Sequence, residues 1–66
     1  MLEVTINGEK LQVENGVTLK DLLQRKGLLT PTVTTILNGR VLSPKEYSVV
    51  LKPGDVIDTA SYLEGG

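Results

Sequence analysis

Apolar and polar residues alternate from the start of the chain: Leu2, Val4 and Ile6, then Leu11 and Val13, fall on either side of Asn7-Gly8. Period-two alternation marks a strand with one buried face, and Asn-Gly is the dipeptide that best accepts the positive φ angles of a two-residue type I′ turn. The register follows from that turn. Ile6 faces Glu9, Val4 faces Leu11 and Leu2 faces Val13, which gathers the apolar side chains on one face and leaves Glu3, Thr5, Lys10 and Gln12 on the other.

The period changes after Asn15-Gly16. Thr18 with Asp21 three residues later is a capping-box pattern, Val17 and Leu22 are placed as a hydrophobic staple, and Gly27 is a C-terminal stop. Leu19, Leu22 and Leu23 then share one side of a helix of about eight residues, too short to persist alone in water, so the leucine stripe must lie on the apolar face of the hairpin. Beyond a connection carrying Pro31, the stretch from Val33 to Ser43 repeats the hairpin logic around Asn38-Gly39, with Ile36 opposite Val41. Ser43 to Tyr47 reads as a turn or a single helical turn with Pro44 near its start. Lys52-Pro53-Gly54-Asp55 is a tight turn leading into a last strand. Alternation in that strand sends Val56, Asp58, Ala60 and Tyr62 outward and Ile57, Thr59, Ser61 and Leu63 inward. The inward set is polar enough to suggest a bulge or slip near Ala60. Both Asn-Gly pairs are read as turns with no chemistry, and the helix leucines as core.

Composition narrows the function. A chain of 66 residues makes one domain and buries only about 60% of its unfolded surface, which leaves little room for a deep active site. Cysteine and histidine are both absent, so no disulfide, thiolate nucleophile or imidazole ligand exists, and no metal site is expected. Seven Lys/Arg against eight Asp/Glu give a formal charge of −1, and the basic residues are scattered. This argues against a nucleic-acid surface. No apolar run approaches the ~18 residues of a membrane span, and Met1-Leu2-Glu3 does not open a leader, so the cytoplasm is the expected compartment.

Two hairpins flanking one helix and a final strand predict an α+β domain, a mixed sheet packed on one helix. The connection through the helix should be a right-handed crossover if the strands it joins are parallel. That architecture is the ubiquitin-like β-grasp.

In the order of these elements, in "LNGRVLSPKEY" and "LKPGDVID", and in Gly65-Gly66 at the end of the sequence, the whole chain resembles the ThiS/MoaD family of ubiquitin-like sulfur carriers. It is closest to the branch that serves thiamine thiazole synthesis. The resemblance implies a β-grasp domain over residues 1–63 and a flexible reactive tail over 64–66. It implies a protein cosubstrate, not an enzyme, monomeric alone and binding no cofactor. A ThiF-type adenylating enzyme would use ATP and Mg to activate the carboxylate of Gly66, with Gly65 giving clearance. A cysteine-derived sulfur donor would then displace AMP to leave a thiocarboxylate, and a ThiG-type thiazole synthase would take the sulfur. Glycines suit such a tail because, lacking Cβ atoms, they can lie extended in a narrow channel.

Ala60, Tyr62, Leu63 and Glu64, at the root of the tail, are the expected partner contacts; an aromatic such as Tyr62 buries much area at little entropic cost. Glu64 departs from the small or apolar residue common before Gly-Gly in the family. Two alternatives within the fold begin with the same adenylate: a carrier of the molybdopterin synthase small-subunit type and a ubiquitin-like protein modifier. A third belongs to another class, the TGS-like β-grasp binding module, which needs no free Gly-Gly end. The missing cysteines exclude a β-grasp ferredoxin.

Overall fold

Asn7 and Gly8 both hold positive φ, 50° and 84°, as a type I′ turn requires. They join β1 (Leu2–Ile6) to β2 (Glu9–Val13). The structure, a computed structural model, describes residues 1–61. The hairpin has the register that the alternation predicts, Leu2 opposite Val13, Val4 opposite Leu11 and Ile6 opposite Glu9. Leu2, Val4, Ile6 and Val13 are buried and Leu11 packs against them half-buried.

Helix α1 (Leu19–Arg25) begins at the predicted capping box: Asp21 N–H donates to Thr18 Oγ1 and Thr18 N–H to Asp21 Oδ2, both at 3.1 Å. The next free donors of its first turn find carbonyls elsewhere in the chain. Leu19 N–H reaches Val49 O at 2.9 Å and Lys20 N–H reaches Tyr47 O at 2.8 Å, so a short helix carries no unsatisfied start into the core. At its other end Gly27, with φ 71°, allows a Schellman closure, with Gly27 N–H on Gln24 O and Leu28 N–H on Leu23 O. Leu19, Leu22 and Leu23 are at most 2% exposed and join the hairpin's apolar face, with Val17, Leu42, Tyr47, Leu51 and Ile57, in one core. Each such leucine contributes about 1.5–3 kcal/mol by leaving water.

The second hairpin joins β3 (Val33–Leu37) to β4 (Arg40–Leu42) through Asn38-Gly39, with Ile36 opposite Val41 as predicted. A single 3₁₀ turn over Pro44–Glu46 comes next, and the turn at Gly54, φ 85°, delivers β5 (Val56–Ser61). Among the described residues the five strands form one sheet in the order β2-β1-β5-β3-β4, with β5 parallel to β1 and antiparallel to β3. The pairings make β2 and β3 parallel, and α1 carries the chain between them. This mixed sheet on one helix is the β-grasp expected from the sequence.

One expectation is corrected. The register from Val33 opposite Ser61 to Leu37 opposite Ile57 runs without offset, so β5 has no bulge near Ala60. No helix among the described residues is long and apolar enough to cross a membrane.

Candidate functional site

Of the residues expected at the site, Ala60 lies in β5, while Tyr62, Leu63, Glu64, Gly65 and Gly66 lie outside the described residues. The structure defines the root from which they continue. β5 is the middle strand of the sheet. Ile57 is paired on both sides, to Ile6 of β1 and Leu37 of β3, while Val56 pairs with Thr5 of β1 and meets Asn38, just past β3, on its other flank. From Asp58 onward only β3 continues, because β1 turns away at Asn7.

The side chain of Asn7 takes over that vacated edge. Its main-chain N–H donates to Ile57 O at 2.8 Å. Its Oδ1 then accepts from Thr59 N–H, and its Nδ2 donates to Thr59 Oγ1, both at 2.9 Å. The ladder is thus extended by one carboxamide, and the polar inward residue that suggested a bulge is accounted for. Asn38 does the same on the other flank: its N–H donates to Val56 O at 2.7 Å, its Oδ1 accepts from Val56 N–H at 2.8 Å and its Nδ2 donates to Asp55 Oδ1 at 3.0 Å. Asp55 Oδ2 in turn accepts Lys52 N–H at 2.8 Å, closing the turn. The reading of the Asn-Gly pairs as turns alone is therefore incomplete, since each also holds β5. No local pattern announces this, because the partners are 52 and 18 residues away.

The outer face of the sheet around Ala60 is more apolar than simple alternation allows. Ala60 stands opposite Thr34, and Ile36 lies between Val41 of β4 and Asp58 of β5. Val56, on the same face, is 42% exposed and Val41 is 63% exposed. Asp58 makes no ion pair among the described residues, so within the patch of Ile36, Val41 and Val56 it is the one carboxylate, with Thr34 and Thr5 at the margins. Val41, Val56 and Ile36 were not expected site residues. Their signal was the adjacent apolar pairs Val41-Leu42 and Val56-Ile57, in which one member must point away from the core.

The charged groups perturbed by the fold belong to the opposite side. The Arg25 guanidinium, 2.8 Å from Glu14, holds that carboxyl below its usual range and is itself raised. Hydrogen bonds from Thr18 lower Asp21. Both carboxylates secure α1. Among the described residues no cluster of acidic side chains is arranged to hold a metal ion, and their surface shows no enclosed pocket.

No protein-family model and no curated protein matches the sequence. Among solved structures the fold matches the thiamine biosynthesis protein ThiS from Geobacter metallireducens, with a TM-score of 0.80 and 26% identity. The match covers 98% of this chain and 100% of that one. The resemblance to the ThiS-like, ubiquitin-like carriers thus holds for the three-dimensional structure as well as for the sequence motifs.

Proposed function

We propose that this chain is a sulfur carrier protein of the ThiS kind, a cosubstrate whose Gly66 carboxylate is activated and loaded by partner enzymes. The observation that carries the reading is the match to ThiS along nearly the whole length of both chains. The anchoring of β5 supports it physically. A strand in the centre of the sheet, pinned by Asn7 on one flank and Asn38 on the other, gives a fixed origin to a short glycine-ended segment, and a fixed origin limits the conformational entropy lost when its end enters another protein's active site.

In the proposed cycle a carboxylate oxygen of Gly66 attacks the α-phosphorus of MgATP on a ThiF-type enzyme and pyrophosphate leaves. Hydrosulfide supplied by the cysteine-derived donor then adds to the acyl carbon and AMP leaves, giving the thiocarboxylate with no net redox change. A ThiG-type thiazole synthase consumes that sulfur in thiamine biosynthesis. The outer face of Ile36, Val41, Val56 and Ala60 around Asp58 contributes the docking surface, together with Tyr62, Leu63 and Glu64.

Incubation with a ThiF-type enzyme, MgATP and a sulfide source tests the proposal by intact mass. A gain equal to the exchange of one oxygen for sulfur, localised to Gly66, is expected. Adenylate formation followed by an amide link to a lysine would instead assign the chain to protein modification. No activation of Gly66 at all would return it to a β-grasp binding module.

A further inference from the structure

Three Asn-Gly dipeptides occur in the sequence, Asn7-Gly8, Asn15-Gly16 and Asn38-Gly39, and all three carry the same latent chemistry. With no Cβ on the following residue, its main-chain nitrogen has a clear approach to the asparagine side-chain carbonyl carbon. Attack forms the N–Cγ bond of a cyclic succinimide. The Cγ–Nδ2 bond breaks, and the nitrogen's proton leaves with the side-chain amine as ammonia. Water then opens the imide at either carbonyl, giving aspartate or isoaspartate and one added negative charge. Water is the only co-reactant.

For this to happen the carboxamide must rotate out of any hydrogen bonds it makes. At Asn7 both Oδ1 and Nδ2 are bound to Thr59, and at Asn38 they are bound to Val56 and Asp55. The main-chain N–H of each also donates to β5. Rotation at either position therefore requires the edge of β5 to open, a local unfolding whose cost lowers the reactive population. All three asparagines are exposed, but Asn15 differs in its bonding: its side chain has no hydrogen-bond partner among the described residues, and its turn is closed by a long contact, Val17 N–H to Glu14 O at 3.3 Å.

We infer that Asn15 is a spontaneous deamidation site of the folded protein, and that Asn7 and Asn38, chemically as labile, are shielded by the hydrogen bonds that hold β5. The modification adds a carboxylate beside Glu14, whose partner Arg25 anchors the end of α1. The isoaspartate product also lengthens the main chain immediately before the helix cap.

The test compares rates site by site. The protein is held in mildly alkaline buffer, folded in one sample and unfolded in urea in the other, and deamidation is followed by peptide mapping and mass. The unfolded-to-folded rate ratio is expected near one at Asn15 and at least about tenfold at Asn7 and Asn38. Thr59→Val, which removes the acceptor of Asn7 Nδ2, should lower the ratio at Asn7 alone, with the retained ratio at Asn38 reporting that the variant is folded. Shielding of Asn15 as strong as that of the other two overturns the inference, as does folded-state conversion of Asn7 and Asn38 at the unfolded rate. An unchanged Asn7 ratio in Thr59→Val overturns the share of its protection assigned to Thr59 Oγ1.

Discussion

Asn7 and Thr59 exchange two hydrogen bonds across 52 residues of sequence, Thr59 N–H to Asn7 Oδ1 and Asn7 Nδ2 to Thr59 Oγ1, each 2.9 Å long. They lie where β1 leaves the sheet, so they stand in for the strand that β5 has lost on that side. Asn7→Gly keeps the positive φ that the turn demands while deleting both bonds. The expected cost is about 1–2 kcal/mol, a large share of the roughly 3–5 kcal/mol that so small a core supplies. Urea titration of Asn7→Gly, Thr59→Val and the double variant measures it. The double variant should be no less stable than Asn7→Gly, because the one bond that Thr59→Val severs, Asn7 Nδ2 to Thr59 Oγ1, is already absent in Asn7→Gly; simple additivity would dissolve the coupling.

A second prediction concerns the reverse situation, a polar group with nothing to bond. Thr35 in β3 is 0% exposed, and its Oγ1 has no hydrogen-bond partner among the described residues. A buried hydroxyl left unpaired costs about 1–3 kcal/mol. Valine has the same branched shape without that penalty, so Thr35→Val should stabilise the fold by an amount in that range, read as a rise in thermal midpoint. A lowered midpoint would mean that the hydroxyl is paired in solution.

Thr35 also shows where the sequence stops speaking. Its neighbours Val33 and Ile36 and the Asn38-Gly39 turn declared a hairpin, but nothing in a run of threonines says which one is sealed in the core. The same boundary recurs throughout. Hairpin registers were readable because a two-residue loop leaves the alternation only one solution, and the cap of α1 because Thr18 and Asp21 are three residues apart. The insertion of β5 between β1 and β3, and the use of Asn7 and Asn38 to hold it, depend on partners far along the chain. On the outer face, alternation placed both Ala60 and Val56 outward, as they are in the structure, but an isolated exposed valine such as Val56 or Val41 carries no meaning until the sheet places it beside Ile36.

The third prediction is a pH dependence. Asp21 accepts hydrogen bonds from Thr18 and its carboxyl lies below its ordinary 3.8, while Glu14 is lowered from 4.5 by its hydrogen bond to Arg25. A carboxyl that is more acidic folded than unfolded stabilises the fold in full above its unfolded value, and that contribution disappears as the pH falls through the lowered folded value. Asp21→Asn removes the charged acceptor at every pH. Parent and variant should therefore differ in melting temperature by a constant amount above about pH 5 and converge on acidification below the usual carboxylate range. Glu14 is common to both and cancels. A gap that persists unchanged into strong acid would show that the cap works through geometry without the charge.

The last prediction separates docking from chemistry in the proposed reaction. Deleting Gly66 withdraws the carboxylate by about 3.5 Å, and a reacting atom displaced by that much from its in-line position loses nearly all its rate. Ala60→Arg does the opposite: it leaves Gly66 intact but sets a bulky cation on the outer face beside Ile36 and Asp58. Ala60 is exposed and makes no core contact, so the change should alter stability by no more than about 0.5 kcal/mol. In ATP-pyrophosphate exchange with a ThiF-type enzyme, the Gly66 deletion should abolish turnover at any carrier concentration. Ala60→Arg should raise KM for the carrier while leaving kcat within about twofold, the signature of binding shared equally by ground and transition states. Equal KM for Ala60→Arg and the parent would remove the outer face from the docking surface and leave the segment after β5 as its whole extent. Undiminished exchange by the Gly66 deletion would remove the carrier function itself.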